Sequence, residues 1–113
     1  MTRVSKIAKS PPYAVEQSLV RLGRNIRTAR LRRRITIEAL AERVGISRRA
    51  MGEIEKGKGT SAIVAYLGAL WALGLLGQMR DVASPDLDSV GKALESSRSP
   101  TTAPKRQALD NDF

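Results

Sequence analysis

The segment from Thr36 to Lys56, TIEALAERVGISRRAMGEIEK, carries the tightest punctuation in the chain. Thr36 is a good N-cap, and Glu38 follows in the first turn, where the positive end of the helix dipole favours an acid. Ala39, Leu40, Ala41 and Val44 continue the helix until Gly45, whose freedom at positive φ suits a C-terminal cap. Ser47, two residues on, is a second N-cap, and a helix from Arg48 to about Lys56 turns Met51 and Ile54 inward. The small Ala41 lets the two helices approach, and Ile46 plugs the corner between them. Such a unit projects its second helix from the body with the N-terminus free. That end carries Ser47, Arg48 and Arg49, with Gly52 one turn further on. Arginine pairs bidentately with the guanine O6 and N7 edge, and unpaired helix N–H groups attract phosphate. The plainer reading makes Arg48 and Arg49 surface residues that only aid solubility.

Around this unit the chain has room for one domain with tails, since 113 residues fall within the common domain range. Residues 1–12 read as a basic arm with Arg3, Lys6 and Lys9, ended by Pro11-Pro12, and no secretory signal is expected in it. A helix is expected from Val15 to Arg33, with Leu19, Leu22, Ile26 and Ala29 as its apolar stripe. Thr60 or Ser61 is the expected cap of the next helix, whose Ile63, Leu67, Leu70 and Leu73 face the core. Gly74 permits a break before a short helix from Leu75 to about Val82. Ser84-Pro85-Asp86 is a start signal for an amphipathic helix over 84–95. Residues 96–113, rich in Ser, Thr, Pro and charge, are expected to be disordered. The domain boundaries expected are therefore 1–12, 13–83, 84–95 and 96–113.

Charge divides this chain unevenly. Residues 1–60 hold 15 Lys and Arg against 5 acids, whereas residues 61–113 hold 5 against 6. Seven arginines lie between Arg21 and Arg34 with no acid among them. Unneutralised, they repel one another, so a phosphate-bearing partner explains them better than a merely solvated face. With neither Cys nor His in the chain, zinc fingers, disulfides, Cys nucleophiles and Ser-His-Asp triads are excluded. Glu53 and Glu55 are i, i+2 and do not share a helix face, so no paired-carboxylate site arises there. An enzyme is not expected, and neither a metal nor a cofactor.

Gly59 to Met79 is 21 residues without a charge. A membrane span needs about 20 predominantly apolar residues. Thr60, Ser61, Gln78 and the glycines at 59, 68, 74 and 77 thin the run, and the first three helices need a fourth to complete a core. No membrane partner is therefore expected. The run is apolar on more than one face, which leaves Val64, Trp71, Leu75, Leu76 and Met79 as a candidate second face for a partner or a second copy. The simpler reading places these residues in the core. A dimer would set two recognition helices about one DNA turn apart on a palindromic site.

The pattern LGRNIRTARLRRRITIEALAERVGISRRAMGEIEKGKG, within residues 19–74, resembles the Cro/repressor-type helix-turn-helix proteins, the XRE family. The resemblance implies an all-α, lambda-repressor-like fold of five helices, here with a short extra helix and a C-terminal tail. It implies an ion pair between Arg30 and Glu55. It also places the helix from Arg48 in the major groove of operator DNA, with Thr36 at the phosphate-facing end of the preceding helix. Ser47, Arg48, Arg49 and Gly52 are then the base-reading residues, and Arg27, Arg33, Thr36, Arg43, Lys56 and Lys58 the phosphate contacts. The family often has Gln directly after the Thr cap. Ile37 stands there in this chain, which shifts readout toward Arg48 and Arg49.

Residues 65–113, with WALGLLGQMRDVASPDLDSVGKALESSR and the closing KRQALDNDF, resemble HipB-type antitoxins. This likeness implies a cytoplasmic, nucleoid-associated autorepressor that also binds a HipA-like serine/threonine kinase, with Leu109 and Phe113 in a partner-binding tail. A stand-alone regulator of phage-repressor type is the alternative from the same fold.

Overall fold

The computed structural model describes residues 5–98. It is all-helical there, with α1 (Lys6–Lys9), α2 (Tyr13–Arg32), α3 (Ile37–Val44), α4 (Arg48–Glu55), α5 (Ile63–Ala72) and α6 (Ser89–Arg98), and 3-10 turns at Leu76–Asp81 and Pro85–Leu87. Its contacts divide it into two compact units, one ending at Gln78 and the other beginning at Met79.

Local chemistry sets the helix ends in the first unit. Pro12, in extended geometry, precedes α2, and the chain reverses after it through Arg34 at φ 54°. The Thr36 hydroxyl accepts from the Ala39 N–H at 3.1 Å and starts α3. Gly45, at φ 90°, ends that helix, and its N–H donates to the Ala41 carbonyl. The Ser47 hydroxyl accepts from the Ala50 N–H at 3.0 Å and starts α4. Two expectations fail locally. The arm holds a one-turn helix, capped by Ser5, before its prolines stop it. Neither Thr60 nor Ser61 caps α5; Ala62 stands at that position with no side-chain bond.

One core joins α2 to α5. Ile26, Leu40, Met51, Ile54 and Ala69 are completely buried, and Ala29, Ala41, Tyr66, Leu70 and Leu73 nearly so. Each large aliphatic side chain withdrawn in this way contributes roughly 1.5–3 kcal/mol. Ile63 departs from expectation. It lies in the first turn of α5, a full turn ahead of Tyr66, and is 70% exposed. Tyr66 closes that end of the core instead. Its hydroxyl donates to the Lys58 carbonyl at 2.9 Å, and burial raises the phenol pKa above its ordinary value.

Close backbone approach fixes the angle of α2 against α4. A methyl at Gly23 would collide with the Ile54 carbonyl and lie 2.7 Å from the Glu55 carbonyl. Gly57, at φ 75°, is as close to Leu19 and Val20. On the other side Gly68 admits Val44, whose Cγ1 would be 2.9 Å from an added Cβ.

The second unit has no buried residue among those described. Two corrections fall between Gly74 and Ser89. Leu75 to Val82 does not form an α-helix; Gly74 at φ 78° is followed by the tighter 3-10 turn. Pro85 begins only a 3-10 turn, and α6 starts at Ser89, where the Gly91 N–H donates to the Asp88 carboxylate at 2.9 Å. Both Ser84 and Asp88 are good caps by residue type, and the acid starts the longer helix. Residues 96–98 belong to α6 rather than to a tail. Leu109, Phe113 and the rest of the expected tail lie outside the described residues, as does Arg3 of the arm.

The α2–α4 crossing gives a direct test. Gly23→Ala is expected to cost about 1–3 kcal/mol through overpacking against backbone that cannot move aside. Gly77→Ala, where nothing lies within 4 Å of an added Cβ, is expected to stay within about 0.5 kcal/mol of the parent. Urea unfolding of the two variants measures the difference, and equal midpoints would refute the close-approach argument.

Candidate nucleic-acid interface

Burial of Met51 and Ile54 sets the rotation of α4. With that side turned inward, Arg49 and Lys56 lie on the outward face, with Gly52 and Glu53 half-buried between them. Ser47, Arg48 and Arg49 at the front of the helix are exposed, so its N-terminus is open to a partner. A shallow concavity of about 550 Å³ follows this face, lined by Arg48, Arg49, Gly52, Glu53, Lys56 and Lys58. Four of the six lining residues are cationic. A Cβ at Gly52 would meet only the Ile37 Cδ1, at an ordinary contact distance of 3.9 Å, so the surface at this position is open.

The electrostatics of this end favour an anion. No acid lies in the first turn of α4, and Arg48 and Arg49 stand at the positive end of its dipole. A cation so placed is disfavoured by roughly 0.3–1 kcal/mol, and a phosphate oxygen reverses the sign of the interaction. The protein offsets part of this with its own acids. Arg48 Nε donates to Glu38 Oε2 at 2.6 Å, across the turn between the helices. Arg49 has only a looser ion pair at 3.8 Å with Glu53, one turn along α4. The backbone N–H of Glu38 and the Arg48 guanidinium both hold the Glu38 carboxyl below its ordinary pKa.

A second charged group supports the first from behind. Arg30 Nε and Nη2 donate to the two oxygens of Glu55 at 2.6 and 3.0 Å, and Nη1 donates to the Ile35 carbonyl at 3.0 Å. Arg30 is 8% exposed and the Glu55 side chain 5%. The hydrogen bond to Glu55 raises the Arg30 pKa further above its already high value. Arg27, with its side chain 60% exposed, reaches the same carboxylate at 4.0 Å.

The remaining candidates are dispersed. Arg33 turns Nη1 onto the Ala29 carbonyl at 2.9 Å, at the negative end of α2. Thr36 accepts an N–H bond as a cap and keeps its hydroxyl proton to donate. Arg43 is exposed in the last turn of α3. On α5, Val64 is 72% and Trp71 59% exposed, seven residues apart on the side away from the core, and Leu76 is 39% exposed. The core reading of these three residues is therefore corrected. Leu75 is half-buried, as is Met79 in the second unit. Residue reasoning missed Glu53 as part of the concavity and Glu38 as the partner of Arg48.

Among the described residues no helix is long and apolar enough to cross a membrane, since Gly74 ends α5 after ten residues. No group of acids there has the arrangement to hold a metal ion.

A family model described as a helix-turn-helix domain matches residues 21–83, more than half of the chain. The chain belongs to this family. The helix-turn-helix itself is α3, the Gly45–Ser47 turn and α4, and it identifies a DNA-binding domain. No curated protein and no solved structure matches the chain. The match ends before α6.

Proposed function

We propose that this helix-turn-helix protein is a sequence-specific transcriptional repressor that binds operator DNA as a dimer and has no enzymatic activity. One observation carries the reading: the open front of α4, with Arg48 and Arg49 exposed and no acid in its first turn. Ser47, Arg48, Arg49 and Gly52 form the base-reading edge. Lys56 and Lys58 extend it toward phosphate, and Arg27, Arg33, Thr36 and Arg43 contact the flanking backbone. The exposed Val64 and Trp71 support a second copy packed on α5, which would present two α4 helices to a palindromic duplex.

The narrower reading is an antitoxin that represses its own operon and neutralises a HipA-like kinase. Its support is the resemblance of residues 65–113, together with the exposure of Val82, Leu87, Val90 and Leu94 in the second unit, an apolar surface in want of a partner. Leu109 and Phe113 would extend that contact.

Fluorescence anisotropy on labelled duplexes tests the DNA-binding reading. Affinity is expected to fall steeply with salt, as phosphate neutralisation releases counterions. Arg48→Ala is expected to lose about 1–3 kcal/mol on the preferred sequence and little on random DNA, whereas Arg27→Ala weakens both alike. Equal losses by both variants on both kinds of DNA would overturn the assignment of base and phosphate contacts.

Sedimentation velocity tests the assembly. A dimer is expected at micromolar concentration and a monomer for Trp71→Ala, with a heavier complex when a HipA-like kinase encoded beside this chain is added. A wild-type monomer overturns the dimer, and failure to capture the kinase overturns the antitoxin reading in favour of a stand-alone regulator.

A further inference from the structure

We propose that Glu38 is a positioning residue for base readout: it holds Arg48 by Nε so that the two Nη groups are presented, in a fixed orientation, to a guanine edge. The inference rests on the DNA-binding reading of α4 and deepens it by separating the two arginines at that helix front.

An arginine has five N–H donors, one on Nε and four on the two Nη nitrogens. The Nε–Oε2 bond of 2.6 Å uses the single donor that an end-on fork does not need. Bidentate recognition of guanine O6 and N7 takes two parallel N–H groups, and the Nη pair remains free to supply them. Both partners stay open to a ligand, with side chains 65% and 63% exposed. A loose surface arginine loses rotamer freedom when it docks, and one already held at Nε loses less. Arg49 lacks this arrangement. Its side chain is 91% exposed, and its ion-pair partner among the described residues, Glu53, is 3.8 Å away, outside hydrogen-bond distance. Arg48 is therefore the arginine that discriminates guanine.

The backbone explains why the acid reaches. Thr36 caps α3 and Glu38 lies in its first turn, where the dipole and its own backbone N–H favour the charged carboxylate. Ile37, directly after the cap, is half-buried, and its Cδ1 would lie 3.9 Å from a Cβ added at Gly52 of α4. The next residue then spans the turn to Arg48. A carboxylate at a phosphate-binding surface repels DNA on every sequence. The ion pair gives that repulsion a purpose, since it raises the contrast between a duplex that offers guanine to Arg48 and one that does not.

The experiment is selection from a pool of randomised 20-base-pair duplexes by the full chain and by Arg48→Ala, Glu38→Ala and Glu38→Gln, with thermal melting of each variant to establish folding. Wild type is expected to enrich a guanine at one position of each half-site. Arg48→Ala and Glu38→Ala are expected to lose that preference at the same position, by roughly 5- to 100-fold in the ratio of affinities for guanine over other bases. Glu38→Gln keeps an acceptor oxygen and is expected to retain part of it. A folded Glu38→Ala that enriches the same guanine with undiminished discrimination overturns the proposal. So does one that binds all duplexes more tightly with its preference unchanged, because Glu38 then acts only as a repelling charge. Recovery of no duplex by the wild type overturns the reading of α4 itself and this inference with it, whatever the variants do.

Discussion

A guanidinium and a carboxylate, both withdrawn from water, tie α2 to the last turn of α4. The two parallel bonds between Arg30 and Glu55 satisfy both carboxylate oxygens, and the third Arg30 bond takes up the Ile35 carbonyl beyond the end of α2. A buried pair of this kind adds little compared with a well-packed apolar pair, but losing one partner strands a charge at a cost of about 3–5 kcal/mol. Its larger effect is geometric. It joins the C-terminal end of α4, the last turn of α2 and the link into α3 at one point. Gly23 then lets the two backbones close to contact. With its far end held, α4 projects its front outward.

At that front the local charges are not mutually satisfied. Two cations stand at the positive end of a helix, and each finds an acid from this chain at the surface, one by a short hydrogen bond and the other by a looser pair. Water screens such exposed pairs, so neither quenches the positive front, and the Nη groups of Arg48 and the guanidinium of Arg49 stay open to a further acceptor. A duplex provides it at the right scale, because an α-helix fits the major groove and phosphates flank both sides. The basic composition of residues 1–60 suits such a partner, while the near-neutral remainder leaves apolar side chains exposed.

The turn between α3 and α4 was legible in the residues because each of its signals acts over three or four positions. Thr36, Gly45 and Ser47 cap within their own turns, whatever packs against them. The buried pair is different. Arg30 and Glu55 are 25 residues apart, and only the family resemblance joined them. Glu38 and Arg48 were not joined at all, since the turn angle, not the spacing, brings them together. The phase of α5 was ambiguous for a related reason: a helix apolar on most sides does not reveal which side is buried. Tyr66 and not Ile63 closes the core there, and its hydroxyl bond to Lys58 depends on a loop that no local rule positions. At the start of α6, Ser84-Pro85 and Asp88 are competing caps of similar local merit.

The most direct measurement of the central claim is a ¹⁵N-resolved NMR titration of the full chain with a selected duplex at low salt. The amides of Ser47 to Gly52 and the Arg48 Nε–H are expected to show the largest shifts, while the Trp71 indole and the amides of α6 stay close to their free positions. Largest shifts on α5 or α6, with the front of α4 unmoved, would contradict the account.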